Sequence, residues 1–122
     1  MKRILIINND FDTMGLLKTW LETKGYQAVF TGNEDEVFHI IEGFDPELII
    51  IDETQNNIIT VLKNHSVYSS IPILLMTGYT TKFASRKLSA DDIIEKPFIL
   101  PLLENKIEKL IQGKHSVNKK IV

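Results

Sequence analysis

DPELIIID, residues 45–52, reads as a turn, four consecutive large aliphatic residues and a carboxylate. A strand with one wet face alternates apolar and polar positions. An unbroken run such as Leu48-Ile49-Ile50-Ile51 suits a strand buried on both faces, as in a parallel sheet. Four more apolar runs lie at residues 4–7, 28–30, 73–76 and 93–94. Between them the spacing becomes helical. Met14, Leu17 and Leu21 recur at threes and fours before a stop at Gly25. Asn33 and Glu36 have the spacing of a capping box ahead of Val37, Ile40 and Ile41, with Gly43 closing that helix. A third helix is predicted over 57–64, with Ile58, Val61 and Leu62 inward. A fourth is predicted over 81–88, carrying Phe83, Ala84 and Leu88. A last helix is predicted after Pro97, with Pro101 in its first turn; it buries Leu103, Ile107, Leu110 and Ile111 and stops at Gly113. The alternation predicts an α/β doubly wound sheet of five parallel strands flanked by five helices. Residues 1–113 form the predicted domain and 114–122 a polar, flexible tail.

The 122 residues suit one core and need no staples. Hydrophobic residues make up 43% and charged residues 25%, the globular balance rather than the disordered one. Fourteen basic against sixteen acidic side chains leave a net charge of −2, without the basic excess of a nucleic-acid binder. No cysteine is present, which excludes thiol catalysis, cysteine-held zinc and disulfides. No apolar run approaches the roughly 20 residues needed to span a bilayer, and the basic start lacks a signal-peptide core. The expectation is a cytoplasmic domain with no membrane insertion and no direct nucleic-acid contact. His39, His65 and His115 lack ligand spacing, and Trp20 reads as a partly buried helix residue. No dinucleotide, P-loop or hydrolase-elbow motif occurs. Lys82, Arg86 and Lys87 read as a solvated face.

In open α/β sheets, reactive groups gather beyond the carboxyl ends of the strands. Those ends carry Asn8, Asn9 and Asp10; Asp52, Glu53 and Thr54; Thr77 and Gly78; and Glu95, Lys96 and Pro97. With strand order 2-1-3-4-5, the ends of strands one, three, four and five share one rim, where Asp52, Thr77 and Lys96 stand out as a group.

Five stretches, RILIIN (3–8), GYQAVF (25–30), DPELIIID (45–52), IPILLMTG (71–78) and ADDIIEKPF (90–98), resemble in order the receiver domain of two-component response regulators. The resemblance covers residues 2 to about 112. It implies a flavodoxin-like receiver fold, and a phosphoryl group received on Asp52 from a histidine kinase or phosphotransfer protein with magnesium bound. It also implies that Thr77 and Lys96 contact the phosphoryl oxygens and that the Lys96–Pro97 bond is cis. A downstream protein would be met through the face of the fourth helix, fifth strand and last helix. The metal ligands it implies are Asn9, Asp52, the Thr54 backbone carbonyl and, through water, Asn8. A carboxylate suits nucleophilic phosphoryl transfer, and an ammonium supplies a point charge for the moving oxygens.

Three departures bear on that reading. Asn8 and Asn9 stand where receivers carry an acidic pair, and an amide offers magnesium an oxygen without charge. Asp10 and Glu53 are the nearby carboxylates that could take over; Asp10 also reads as the cap of the first helix. ETQNNIITVLKN (53–64) lacks the usual proline and glycine of the loop and is short. Ile93 replaces the family's switch aromatic. The chain is therefore read as a stand-alone receiver domain with a weak or absent Mg2+ site. The alternative is a phosphorylation-independent pseudo-receiver acting through protein contact. A ligand binder using the same rim is a distant third.

Overall fold

Each strand sends alternate side chains to opposite faces, so a strand apolar at every position glues two layers at once. The computed structural model describes residues 1–78 and 90–121, with side chains to residue 113. Its sheet holds β1 (Arg3–Ile7), β2 (Gln27–Thr31), β3 (Leu48–Asp52), β4 (Ile73–Thr77) and β5 (Asp92–Glu95), all parallel, in the order β2-β1-β3-β4-β5. Ile4, Ile6, Leu48, Ile50, Leu74, Met76 and Ile94 face one layer. There they meet Met14, Leu17 and Leu21 of α1 (Phe11–Thr23) and Leu103, Ile107 and Ile111 of the last helix. Leu5, Ile7, Ile49, Ile51, Ile73 and Leu75 face the other layer. They pack on Val37 and Ile41 of α2 (Val37–Phe44) and on Ile58, Ile59 and Leu62 of α3 (Asn57–Lys63). The last described helix, α4, spans Leu100–Ile121. The helix expected over 81–88, with Lys82, Arg86 and Lys87, lies outside the described residues.

Several local expectations are corrected. Asn33 caps a single 3-10 turn, Glu34–Glu36, by accepting from the Asp35 amide, and α2 begins only at Val37. The capping box does not form, because the Thr31 hydroxyl accepts from the Asn33 amide and donates to Glu36 Oε2 at 3.0 Å. Gly43 lies inside α2. The left-handed position that ends the helix is Asp45, φ 53°, a residue type that tolerates it. In α3 the inward residue is Ile59; Val61 is 48% exposed, because a single 3-10 turn before the helix rotates its register. Gly113 does not stop α4, whose backbone stays helical to Ile121. A glycine weakens a helix by about 1 kcal/mol without ending it unless φ turns positive. Gly25 does turn positive, at φ 88°, and there α1 hands over to β2. Leu110 is only half-buried, at the edge of the first layer.

Candidate functional site

β3 is the middle strand, covered on both sides, so its last residue reaches solvent only past the end of the sheet. Asp52 sits there, 2% exposed. The chain turns at once into a 3-10 turn, Glu53–Gln55, and the Thr54 amide and hydroxyl donate to Asp52 Oδ2 at 3.0 and 2.7 Å. The Lys96 ammonium donates to Asp52 Oδ1 at 2.5 Å. Burial pushes the Asp52 carboxyl up. The hydrogen bonds from Lys96 and Thr54, with the Lys96 charge, outweigh it and hold the group below the ordinary aspartate value. Asp52 is therefore an anion at neutral pH. Oδ2 is filled by the two Thr54 donors, and Oδ1, with one bond from Lys96, keeps acceptor capacity to spare.

Lys96 follows β5, and its amide donates to the Thr77 carbonyl at 2.7 Å, which ties the ends of β4 and β5. The Lys96–Pro97 bond is cis. Thr77 is 1% exposed, and its hydroxyl donates to Glu53 Oε2 at 2.8 Å. The Gly78 amide donates to Glu53 Oε1 at 2.9 Å. Glu53 is thus gripped through both oxygens by the end of β4. Asp52, Thr54 and Lys96 form one cluster, and Glu53, Thr77 and Gly78 a second beside it. The sequence reading put Glu53, Thr77 and Gly78 on this rim but grouped Thr77 with Asp52 and Lys96 and did not pair it with Glu53.

At the end of β1, Asn8 is 5% exposed. Its amide oxygen accepts from the Asp10 backbone at 3.0 Å, and its own backbone donates to Thr31. Asn9 is exposed and borders a hollow of about 430 Å³ beside Phe11, Phe30 and Gly32. Asp10 caps α1 as expected. The Thr13 hydroxyl and amide, at 2.6 and 3.3 Å, hold its carboxyl below the usual value. Gln55, also missed, is 7% exposed and donates to the Gly32 carbonyl at 2.8 Å, bracing β3 against β2. Its Oε1 has no partner among the described residues. Ile93 is half-buried against the α2–α3 layer. His65 stacks on Tyr68 with ring centroids 4.1 Å apart, and its Nδ1 accepts from the Val67 amide. Trp20 is half-buried and lines, with Leu16, Leu17, Met76 and Phe98, a hollow of about 540 Å³ that Asn8 and Lys96 also border.

A hard divalent cation wants several free carboxylate or carbonyl oxygens converging on one point. Here Asp52 is neutralised by Lys96, the Asn8 oxygen is taken by backbone, Asp10 caps a helix and Glu53 is held by Thr77 and Gly78. Among the described residues no three His, Asp or Glu side chains group as a cation site. As arranged, the donor set fits magnesium poorly.

No family model matches the chain. It is 31% identical over 127 residues to the nisin biosynthesis regulatory protein NisR of Lactococcus lactis, covering 95% of this chain and 55% of that protein. The chain spans about half the length of the curated relatives it matches. It superposes on a response regulator receiver modulated diguanylate cyclase from Pelobacter carbinolicus with TM-score 0.82 and 28% identity, covering 98% and 99% of the two chains. On the signal receiver domain of a histidine kinase from Syntrophus aciditrophicus the TM-score is 0.83 at 27% identity, covering 93% and 92%. Likeness this close, extending over nine-tenths of its length, makes the chain a response-regulator receiver domain.

Proposed function

We propose that this receiver takes a phosphoryl group onto Asp52 from the phosphohistidine of a kinase or phosphotransfer protein. The observation that carries the reading is the buried, ionised Asp52 at the carboxyl edge of the sheet, with the Lys96 ammonium on one of its oxygens. An Asp52 oxygen attacks phosphorus, an O–P bond forms and the P–N bond of the donor breaks. The leaving electron pair stays on the imidazole nitrogen, which takes a proton from water. Positioning and charge neutralisation are most of what such a transfer needs. Lys96 offsets charge on the moving oxygens, and Thr77 is in reach as their hydrogen-bond donor once its hydroxyl leaves Glu53. Magnesium is weakly held or absent in this reading, so Lys96 carries most of the neutralisation.

Output in this reading passes to a downstream protein across the face of β5 and α4. A balanced charge and the absence, among the described residues, of a helix long and apolar enough to cross a membrane favour a protein partner over nucleic acid or lipid. Glu53 also favours a second reading, a pseudo-receiver that works by contact alone, because it already holds the Thr77 hydroxyl.

Intact mass after incubation with acetyl phosphate, with and without magnesium and beside Asp52→Ala, separates the two. Gain of one phosphoryl group by the wild type alone is expected. No gain, while an ordinary receiver is modified alongside, would leave the pseudo-receiver. Unchanged partner binding by Asp52→Ala would point the same way.

A further inference from the structure

We infer that Glu53 is a built-in occupant of the cradle meant for phosphoryl oxygens, holding Thr77 and Gly78 engaged while Asp52 is unmodified; this rests on the phosphoacceptor reading above. Two donors from the end of β4, one hydroxyl and one backbone amide, converge on a single carboxylate at 2.8 and 2.9 Å. A carboxylate presents two anionic acceptor oxygens, as one edge of a phosphoryl group does. The seat is shaped for it: a Cβ on Gly78 would lie 3.2 Å from Glu53 Oε1, tighter than an ordinary contact. Thr77, at 1% exposure, cannot turn its hydroxyl to bulk water without leaving its buried place.

Glu53 is also one peptide bond from Asp52. A phosphoryl group on Asp52 brings about two negative charges to the same donors, and like-charge repulsion expels the Glu53 carboxylate into solvent. The hydroxyl keeps an anionic acceptor before and after the exchange. The Thr77 side chain can therefore stay where it is, and what changes on modification is the place of the Glu53 carboxylate. Glu53 must leave for the phosphoryl oxygens to be seated, so it slows their arrival.

The test uses the full chain with 15N label, comparing wild type, Glu53→Ala and Glu53→Gln. The alanine empties the cradle. The glutamine keeps the shape and one acceptor oxygen but removes the charge, so a folded comparator survives if the alanine variant misfolds. Without donor, the Gly78 amide should exchange with solvent about ten-fold faster in Glu53→Ala, the factor expected from losing a charge-assisted bond worth about 1.4 kcal/mol. Glu53→Gln should fall between, and amides in the middle of β1 and β3 should not move. With acetyl phosphate, both variants should acquire the phosphoryl group faster than wild type. An unchanged Gly78 amide in Glu53→Ala, or measurable uptake by the wild type that is no faster in either variant, overturns the inference. A loosened Gly78 amide with no uptake by any of the three supports Glu53 as occupant and overturns the phosphoacceptor reading instead.

Discussion

Lys96→Met removes the ammonium from Asp52 while keeping an unbranched apolar stem of similar length. The Asp52 side chain is 4% exposed and that of Lys96 41%, so the pair is buried at one end only. Breaking a fully buried pair costs about 3–5 kcal/mol and an exposed one about 0–1. Thr54 continues to donate two hydrogen bonds to the stranded carboxylate. The expected loss at neutral pH is therefore about 2 kcal/mol. With a urea slope of about 1.5 kcal/mol/M for a domain of this size, the unfolding midpoint falls by roughly 1.3 M. The pH dependence gives the sharper result. In the wild type the Asp52 carboxyl lies below its unfolded value. Its stabilisation is thus complete above that unfolded value and disappears as pH falls through the folded one. In the variant burial works with less opposition and the carboxyl moves up. The gap between the two urea midpoints should be widest near pH 7, narrow as pH falls through the variant's raised value, and close only below the wild type's folded value, itself under the ordinary aspartate value, where Asp52 is protonated in both. A gap that is absent at pH 7, or the same size at pH 7 and pH 4, would refute the pairing of Lys96 with a buried charge.

Other substitutions test the frame. A Cβ on Gly32 would lie 2.9 Å from Asn9 Cα and 3.1 Å from the Asn8 carbonyl oxygen, so Gly32→Ala should cost about 1–3 kcal/mol in thermal unfolding. Gly15, inside α1 with nothing within 4 Å of its Cβ position, should instead gain about 0.5–1 kcal/mol as alanine. Leu62→Ala should lose about 2–5 kcal/mol and Val61→Ala less than about 0.5, measured by urea titration; equal losses would contradict the register of α3. Asp91 accepts from the Lys63 ammonium and the Ile73 amide, both at 2.7 Å. Asp91→Ala should therefore destabilise by about 1–2 kcal/mol, with the Ile73 amide losing protection from hydrogen exchange.

What could be read from the sequence follows from how local each signal is. Leu48 to Ile51 announce a doubly covered strand because burial on both faces leaves no polar alternative, and the neighbouring runs fix the strand count. Asp52 and Lys96 were legible because both end strands, and strand ends in such a sheet share a rim. The pairing of Glu53 with Thr77 was not. Strict alternation sends neighbours to opposite faces, and only the 3-10 turn starting at Glu53 brings both carboxylates to the rim. The same kind of turn displaced the expected helix start at Asn33 and the inward set of α3. Such turns leave no periodicity to find, since they are one turn long. Gly43 and Gly113 misled for a related reason. Glycine permits a left-handed stop but does not compel one, and Asp45 took that position after α2.

The strand order has a consequence for how the molecule assembles itself. β1 pairs with β2 at a distance of 24 positions in the chain, Arg3 to Gln27, and β3 with β4 at the same distance, Ile49 to Ile73. β1 meets β3 only across 44 positions, Ile4 to Leu48. Closing that longer loop costs about 0.5 kcal/mol more in chain entropy and brings the least local contacts in the sheet. The seam between β1 and β3 therefore divides the chain into two halves that can each form by shorter closures. Asn8 stands on one side of the seam and Asp52 on the other. The rim that Asn8 and Asp52 share is completed only as this slowest junction zips shut, so a chain caught halfway would hold most of its secondary structure and only part of its chemistry.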